Sequence, residues 1–256
     1  MAMKATSPLK AKPLRNPGQS LDEQIQELLD DKLVPTFWTA ALLVMVAFLE
    51  WFATWRNLPR LPGLWTAAAV CGVLYCIWSF QRIRKRAREL RLGRDGERAV
   101  GQYLDGLREA AARVFHDIPG EEFNLDHVVI SRHGVFVVET KTCSKPYPKA
   151  TVAVAGDQIL VAGRALTRDP VEQVRAQVSW LTRMLEETTG KVLPVRAAIV
   201  FPGWFVEPSG DAKRLGVWVL EPKALPAFIE NEPVRLSDAD VALAAYHLSR
   251  YVRTER

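Results

Sequence analysis

Two carboxylates lie where a short hairpin would bring them face to face. Within residues 124–141, the apolar runs 128–130 and 135–138 flank a Ser-Arg-His-Gly turn, which predicts two short antiparallel strands. If Ile130 pairs with Val135, Asp126 lies directly opposite Glu139 on one face, with Cβ atoms roughly 5 Å apart. Two facing carboxylates repel each other, so this arrangement would need a compensating cation.

A lysine completes this cluster. Lys141 lies two residues beyond Glu139 and therefore points to the same side of the strand. A divalent cation beside Asp126 and Glu139 would remove the repulsion and supply hydrolytic chemistry. The alternative is a plain ion pair between Glu139 and Lys141, worth under about 1 kcal/mol if exposed. The apolar run 135–138 favours the metal site, because it predicts a strand buried on both faces, where unpaired charge is costly.

Two apolar segments precede this hairpin. Residues 37–55 and 64–80 would span roughly 28 and 26 Å as helices, close to the thickness of a bilayer core, and tryptophans lie near their ends. They predict a two-helix transmembrane hairpin. The alternatives are buried core helices or a cleaved signal sequence, and the long polar stretch before the first segment argues against the latter. Glu50 is costly in a membrane unless it reaches the interface.

The distribution of basic residues predicts the orientation. Seven Lys or Arg residues lie between Arg82 and Arg94, against Arg56 and Arg60 between the two apolar segments. The positive-inside rule places both termini in the cytoplasm of a two-pass protein, in an inner or plasma membrane. The basic segment is also suited to anionic headgroups. Net charge is +5, and three cysteines form no disulfide framework.

The chain divides into five predicted parts. We expect a flexible arm at 1–35, the transmembrane hairpin at 36–81, a basic juxtamembrane helix at 82–92, a folded domain at 93–222 and a helical extension at 223–256.

The folded domain should be of mixed α/β (α+β) class. Glycines at 93 and 96 predict an interruption of the helix that leaves the membrane. Beyond this point we expect strands, a second hairpin, a helix that begins at Asp169-Pro170 and ends at Gly190, and a last helix after Ser237. The predicted strands are 112–118, the two strands within 124–141, the hairpin 150–162, 195–201 and 216–220.

Four motifs in this order resemble a known family. They are Gly96-Glu97, Asp126-His-Val-Val-Ile, Gly134-Val-Phe-Val-Val-Glu-Thr-Lys141 and Asp169-Pro-Val-Glu-Gln173. Together they resemble the NERD (nuclease-related) domain of the PD-(D/E)XK nuclease-like superfamily, over roughly 92–220. The resemblance implies a restriction-endonuclease-like αβββαβ core with a mixed sheet.

The resemblance also implies roles for the central residues. Asp126 and Glu139 would ligate Mg²⁺ or Mn²⁺ through carboxylate oxygens, with the backbone carbonyl of Thr140 as a further ligand. Lys141 would position or activate the attacking water and offset charge on the phosphate.

Two further residues match the family pattern. Glu97 would orient the metal shell or the lysine, and Gln173 would hydrogen-bond near the site. Each has a plainer interpretation: a first-turn Glu favours the helix dipole, and Gln173 fits a solvated helix face. The sequence departs from the family pattern at Asp169, often Asn there, and at Leu125, which replaces the proline of the superfamily name.

The sequence therefore predicts a membrane-anchored, metal-dependent nuclease that hydrolyses nucleic-acid phosphodiesters, with DNA rather than RNA as the expected substrate. Its partners would be nucleic acid, the lipid bilayer and, in a homodimer, a second copy. One alternative is an inactive nuclease fold that binds nucleic acid or a protein at the membrane. Another is a structural adaptor acting through the basic segment 81–94.

Overall fold

The computed structural model of the protein describes residues 13–56, 62–109, 111–209 and 211–254. The predicted connection between the apolar helices and the first twelve residues of the predicted arm lie outside the described residues. Two compact units are present: Ser20–Leu92, and Gly93–Arg256 together with the N-terminal residues up to Gln19.

Long helices dominate the Ser20–Leu92 unit. Helix α1 (Gln19–Glu27) runs through a π-helical stretch, Leu28–Leu33, into α2 (Val34–Trp55), and α3 covers Pro62–Asp105. Two helical segments are long and apolar enough to cross a membrane, and their most apolar windows are only 11% and 6% buried. Core helices of a soluble protein would be mostly buried.

The predicted interruption near Gly93 and Gly96 is wrong, because α3 continues through both residues. Gly96 has a packing role instead: a Cβ built there would lie 1.8 Å from Oγ1 of Thr142. Glycine allows the close approach of these two elements, at the cost of a weaker local helix preference.

A five-stranded mixed sheet forms the centre of the other unit. Its order is β1-β2-β3-β7-β9, antiparallel over the first three strands and parallel beyond them. Ile130 pairs with Val135, which confirms the predicted register. The strands are β1 Arg113–Pro119, β2 Asn124–Ser131, β3 Gly134–Thr140, β7 Val195–Val200 and β9 Trp218–Leu220.

A smaller, four-stranded sheet is formed by strands that lie between β3 and β9 in the sequence. Its order is β6-β5-β4-β8, and it includes the predicted second hairpin. The short strands β6 and β8 have no clear sequence signal. The strands are β4 Thr151–Ala155, β5 Gln158–Val161, β6 Arg164–Ala165 and β8 Phe205–Val206.

Helices cover both faces of the main sheet. Val174 and Leu181 of α4 (Pro170–Thr189) share a core with Val137 of β3 and with α6 (Asp238–Thr254). On the other face, Val100 and Leu104 of α3 and residues of α5 (Leu225–Glu230) pack on Phe136 and Val138. The helix caps agree with the sequence: Asp169 accepts a 2.8 Å hydrogen bond from the Val171 N–H, and Gly190 has φ +69°.

The fold class predicted from the sequence is confirmed as a mixed α+β structure with mixed sheets and N-terminal helices. The beginning of β2 and the end of β3 lie next to the first turns of α4. The residues Asp126, Glu139, Lys141 and Gln173 all belong to this region.

Candidate functional site

Asp126 and Glu139 are neighbours across the β2–β3 ladder. The register that pairs His127 with Val138 places them opposite each other one residue further along. Oδ2 of Asp126 accepts a 2.6 Å hydrogen bond from the backbone N–H of Thr140, whereas Oδ1 has no hydrogen-bond partner among the described residues. Among the described residues, this carboxylate is therefore held by a hydrogen bond at one oxygen only.

The Glu139 carboxylate is almost completely buried, with 2% of the residue exposed. Its Oε1 accepts hydrogen bonds from Lys141 Nζ and Gln173 Nε2, both at 2.6 Å, and its Oε2 accepts one from Gln177 Nε2 at 2.7 Å. A buried carboxylate needs such partners, because desolvation of an unpaired charge costs several kcal/mol.

Lys141 joins the sheet to helix α4. Its ammonium donates to Glu139 and, at 2.8 Å, to Oε1 of Gln173, and its backbone N–H donates to the Val200 carbonyl of β7. Lys141, Glu139 and Gln173 therefore form a closed triangle of hydrogen bonds. The ammonium remains partly exposed, so a charged ligand at the strand ends would meet it directly.

Gln177 belongs to the site although sequence reasoning missed it. It lies one turn after Gln173, is fully buried, and also donates to the Asn124 carbonyl at 3.1 Å. A sequence signal existed: this amide occupies a position in the apolar stripe of α4, between Val174 and Leu181. A polar residue at a core position indicates a specific hydrogen-bonding role.

Glu97 comes to the same region from α3. It is 9% exposed, and its pKa is raised from 4.5 to about 8, first by burial and then by the negative charges of Asp117 and Glu139. A hydrogen bond from the Gly18 backbone and the charge of Lys141 act in the opposite direction. Burial likewise raises the pKa of Asp126 well above its ordinary value, with further contributions from Glu139 and Glu97.

A fourth acidic residue, Asp117, lies on the β1 side of the cluster. It is 1% exposed and has φ +50°, a rare backbone conformation for a residue with a side chain. Arg15 donates to its Oδ2 at 2.8 Å and Asn124 to its Oδ1 at 3.1 Å. The N-terminal segment therefore supplies the compensating cation for this carboxylate, which sequence inspection gave no reason to expect.

His127 is not part of this cluster. Its Nδ1 lies 2.8 Å from Nδ1 of His116 on the neighbouring strand, and its Nε2 is buried without a hydrogen-bond partner among the described residues. Burial lowers the pKa of both imidazoles. His133, in the hairpin turn, contacts the backbone carbonyl of Glu232.

The donor atoms at the strand ends have the chemistry that Mg²⁺ and Mn²⁺ require. The carboxylates of Asp126 and Glu139 and the carbonyl of Thr140 are hard oxygen ligands. In the described part of the chain, no group of three or more His, Cys, Asp or Glu side chains is arranged to hold a metal ion. Since Glu139 already accepts three hydrogen bonds, it would have to exchange partners to bind one.

Comparison with known families gives one match, over the part of the chain that contains this cluster. The family model described as nuclease-related domain (NERD) matches residues 92–202. Comparisons with curated proteins and with solved structures gave no match. The matched range contains Glu97, Asp126, Glu139 and Lys141 of the candidate site.

Proposed function

We propose that the nuclease-related domain at 92–202 makes this chain a membrane-anchored nuclease that hydrolyses nucleic-acid phosphodiester bonds, with DNA as the proposed substrate and Mg²⁺ or Mn²⁺ as the metal. The domain match supports a nuclease-like function. Metal-dependent hydrolysis is proposed from one observation: the carboxyls of Asp126, Glu139 and Glu97 lie close together, beside the ammonium of Lys141.

Burial, and after it the negative charges of neighbouring carboxylates, raise the pKa of both Glu97 and Asp126. Asp126, Glu139 and the Thr140 carbonyl would hold the divalent ion. When bound, the ion would act as a Lewis acid on the phosphate and lower the pKa of a coordinated water. Binding would also displace protons from the carboxyls, because the ion competes with them for the same oxygens.

The side chains themselves have separable tasks. Lys141 supplies a positive charge for the phosphate oxygens as negative charge develops on them. Gln173 and Gln177 hold Glu139 in one orientation, which limits the reorganisation needed on binding. Hydrolysis forms one bond from a water oxygen to phosphorus and breaks one ester bond, and the departing oxygen takes up a proton.

The test is cleavage of labelled single- and double-stranded DNA and RNA by the full chain in detergent, with Mg²⁺, Mn²⁺ or EDTA. We expect metal-dependent cutting that Glu139→Gln and Lys141→Gln each reduce by at least about 100-fold, the usual size of an electrostatic contribution. Glu172→Gln is the matched control, because Glu172 is exposed in the first turn of α4, beside Gln173. Equal loss in all three variants, or cutting that EDTA leaves unchanged, would contradict the assigned site.

A second function is favoured by one observation. Both oxygens of Glu139 are already engaged by Lys141, Gln173 and Gln177, an arrangement that is stable without a metal. A domain that binds nucleic acid or a protein partner without turnover would have such a site. Salt-sensitive DNA binding by the folded chain, with no cutting at any metal concentration, would select this function.

Membrane anchoring is proposed from the two exposed apolar helices. By the positive-inside rule, the basic residues at 82–94 of α3, beyond its apolar part, support a cytoplasmic location of the nuclease-related domain. The chain should stay in the membrane fraction after alkaline carbonate extraction, which removes peripheral proteins. Release into the soluble fraction would refute the anchor and leave the nuclease proposal standing.

A further inference from the structure

A cleft in the Ser20–Leu92 unit has the features of a headgroup site. It has a volume of about 440 Å³ and lies where the π-helical stretch enters α2, alongside the middle of α3. Three basic side chains line it, Lys32, Arg82 and Arg86, with Asp31 as the acidic one among the lining residues. The cleft therefore has an excess of positive charge and is suited to an anion.

Aromatic side chains form one wall of this cleft. The guanidinium of Arg82 lies 4.3 Å from the ring centroid of Trp78, a cation–π distance, and Tyr75 lines the same space one turn away. A cation–π contact does not require a hydrogen bond, so the guanidinium can still donate its N–H groups to an anion. Arg86 has a 3.5 Å contact with Glu89, both well exposed, so this pair contributes little and does not compete strongly for the guanidinium.

The cleft lies at the boundary between apolar and basic surface. On one side of Trp78, α3 exposes Leu74 and Ile77; on the other side the basic residues begin at Arg82. Trp and Tyr prefer the headgroup level of a bilayer, and arginines one turn beyond reach the phosphates. The expected depth of the cleft therefore coincides with lipid headgroups.

A second groove of this unit offers a contrast. It lies between α2 and α3 and is lined by residues within 37–48 and 73–77. These side chains are apolar apart from Cys76, and none of them is charged. Such a groove contacts acyl chains of any lipid equally. Discrimination between lipids by charge is therefore a property of the Lys32–Arg82–Arg86 cleft.

We propose that this cleft binds the headgroup of an anionic phospholipid, with Lys32, Arg82 and Arg86 around the phosphate. The inference depends on the membrane anchoring proposed above. It goes beyond a general attraction of basic residues to the membrane, because it assigns binding to three of the basic residues and excludes others. Arg84 and Arg88 lie on the opposite side of α3, since successive residues are rotated by about 100°.

The test is native mass spectrometry of the full chain in mixed micelles that contain equal amounts of phosphatidylglycerol and phosphatidylcholine. We expect preferential retention of phosphatidylglycerol, weakened about fivefold for each cation removed from the cleft by Lys32→Gln, Arg82→Gln or Arg86→Gln. The matched controls Arg84→Gln and Arg88→Gln remove the same charge from the same exposed helix and should keep the preference. Equal loss in controls and cleft variants, or no preference in the wild type, would overturn the proposal.

A second arm distinguishes the source of the phosphate. Soluble glycerol phosphate, added in excess, should not displace the lipid, because the acyl chains contribute most of the affinity. Displacement of the lipid would identify a soluble phosphate compound as the ligand and overturn the lipid assignment. Carbonate extraction separates the two proposals: a firmly inserted chain without lipid preference refutes the cleft alone, and an extracted chain that keeps the preference refutes the transmembrane anchor alone.

Discussion

Replacing Glu97 by glutamine should remove a pH dependence of stability that the carboxylate cluster creates. Burial and the charges of Asp117 and Glu139 raise the pKa of Glu97 to about 8 in the folded protein, against an ordinary value of 4.5. Between these two pH values the folded state keeps a proton that the unfolded state has lost. The free energy of unfolding should therefore fall as the pH rises from about 4.5 to about 8, and level off above.

The size of this effect follows from the two pKa values. Their difference corresponds to about 5 kcal/mol, at roughly 1.4 kcal/mol per pKa unit, and this is an upper bound because Asp126 and Glu97 influence each other's protonation. For a domain of this size, 1 kcal/mol shifts the melting temperature by about 2–4 °C, so the expected decrease is of the order of 10 °C. Glutamine has the shape of the protonated carboxyl and does not ionise, so the variant should lack this decrease.

The assay is thermal unfolding of the full chain in detergent with EDTA, followed by tryptophan fluorescence across this pH range. The matched control is Glu89→Gln, which removes an exposed carboxylate from the same helix. Mg²⁺ should raise the melting temperature of the wild type most at pH values above 8, where the Glu97 carboxyl has lost its proton and adds negative charge to the cluster. Melting curves of wild type and Glu97→Gln that shift in parallel over the whole range would refute the reasoning.

Three further changes test other contacts. Gly96→Ala would normally stabilise a helix, but here it should lower the melting temperature, because the added Cβ would lie 1.8 Å from Oγ1 of Thr142. Adding Thr142→Ala should partly restore the melting temperature. A higher melting temperature for Gly96→Ala alone would contradict this explanation. Gln177→Met should cost about 1.5–3 kcal/mol of unfolding free energy, measured by denaturant titration, since it removes a hydrogen bond to a buried carboxylate. The Lys191 ammonium lowers the pKa of Asp240 to about 2. The wild type should therefore be more stable than Asp240→Asn above pH 3.8 and should lose that advantage as the pH falls through about 2. An advantage that persists at lower pH would be inconsistent with this ion pair.

The β2–β3 hairpin shows how much of the candidate site was predictable. Its register follows from the two-residue period of strands and the turn before Gly134, both of which are local properties of the sequence. Once Ile130 pairs with Val135, the opposition of Asp126 and Glu139 follows from geometry alone. The Lys141 contact with Glu139 follows in the same way, because alternate residues share a face.

Helix α3 shows where local rules gave the wrong answer. Glycine at 93 and 96 indicates a helix end by propensity, yet the helix continues. The glycine at 96 is explained instead by a distant residue, because Thr142 fills the space where a side chain would lie. A glycine required for close packing and a glycine that ends a helix have the same sequence signature.

The sequence by itself determined the mixed α+β class, the two apolar helices, the strand register and the pairing of Asp126 with Glu139, because these depend on periodicity and short-range turns. Only the tertiary structure decided which side chains surround this pair. Arg15 reaches Asp117 across 102 positions, and Gln177 reaches Glu139 across 38. Such contacts depend on how a helix or an N-terminal segment packs against the sheet, and that packing is a property of the whole core, with no record in any short stretch of sequence.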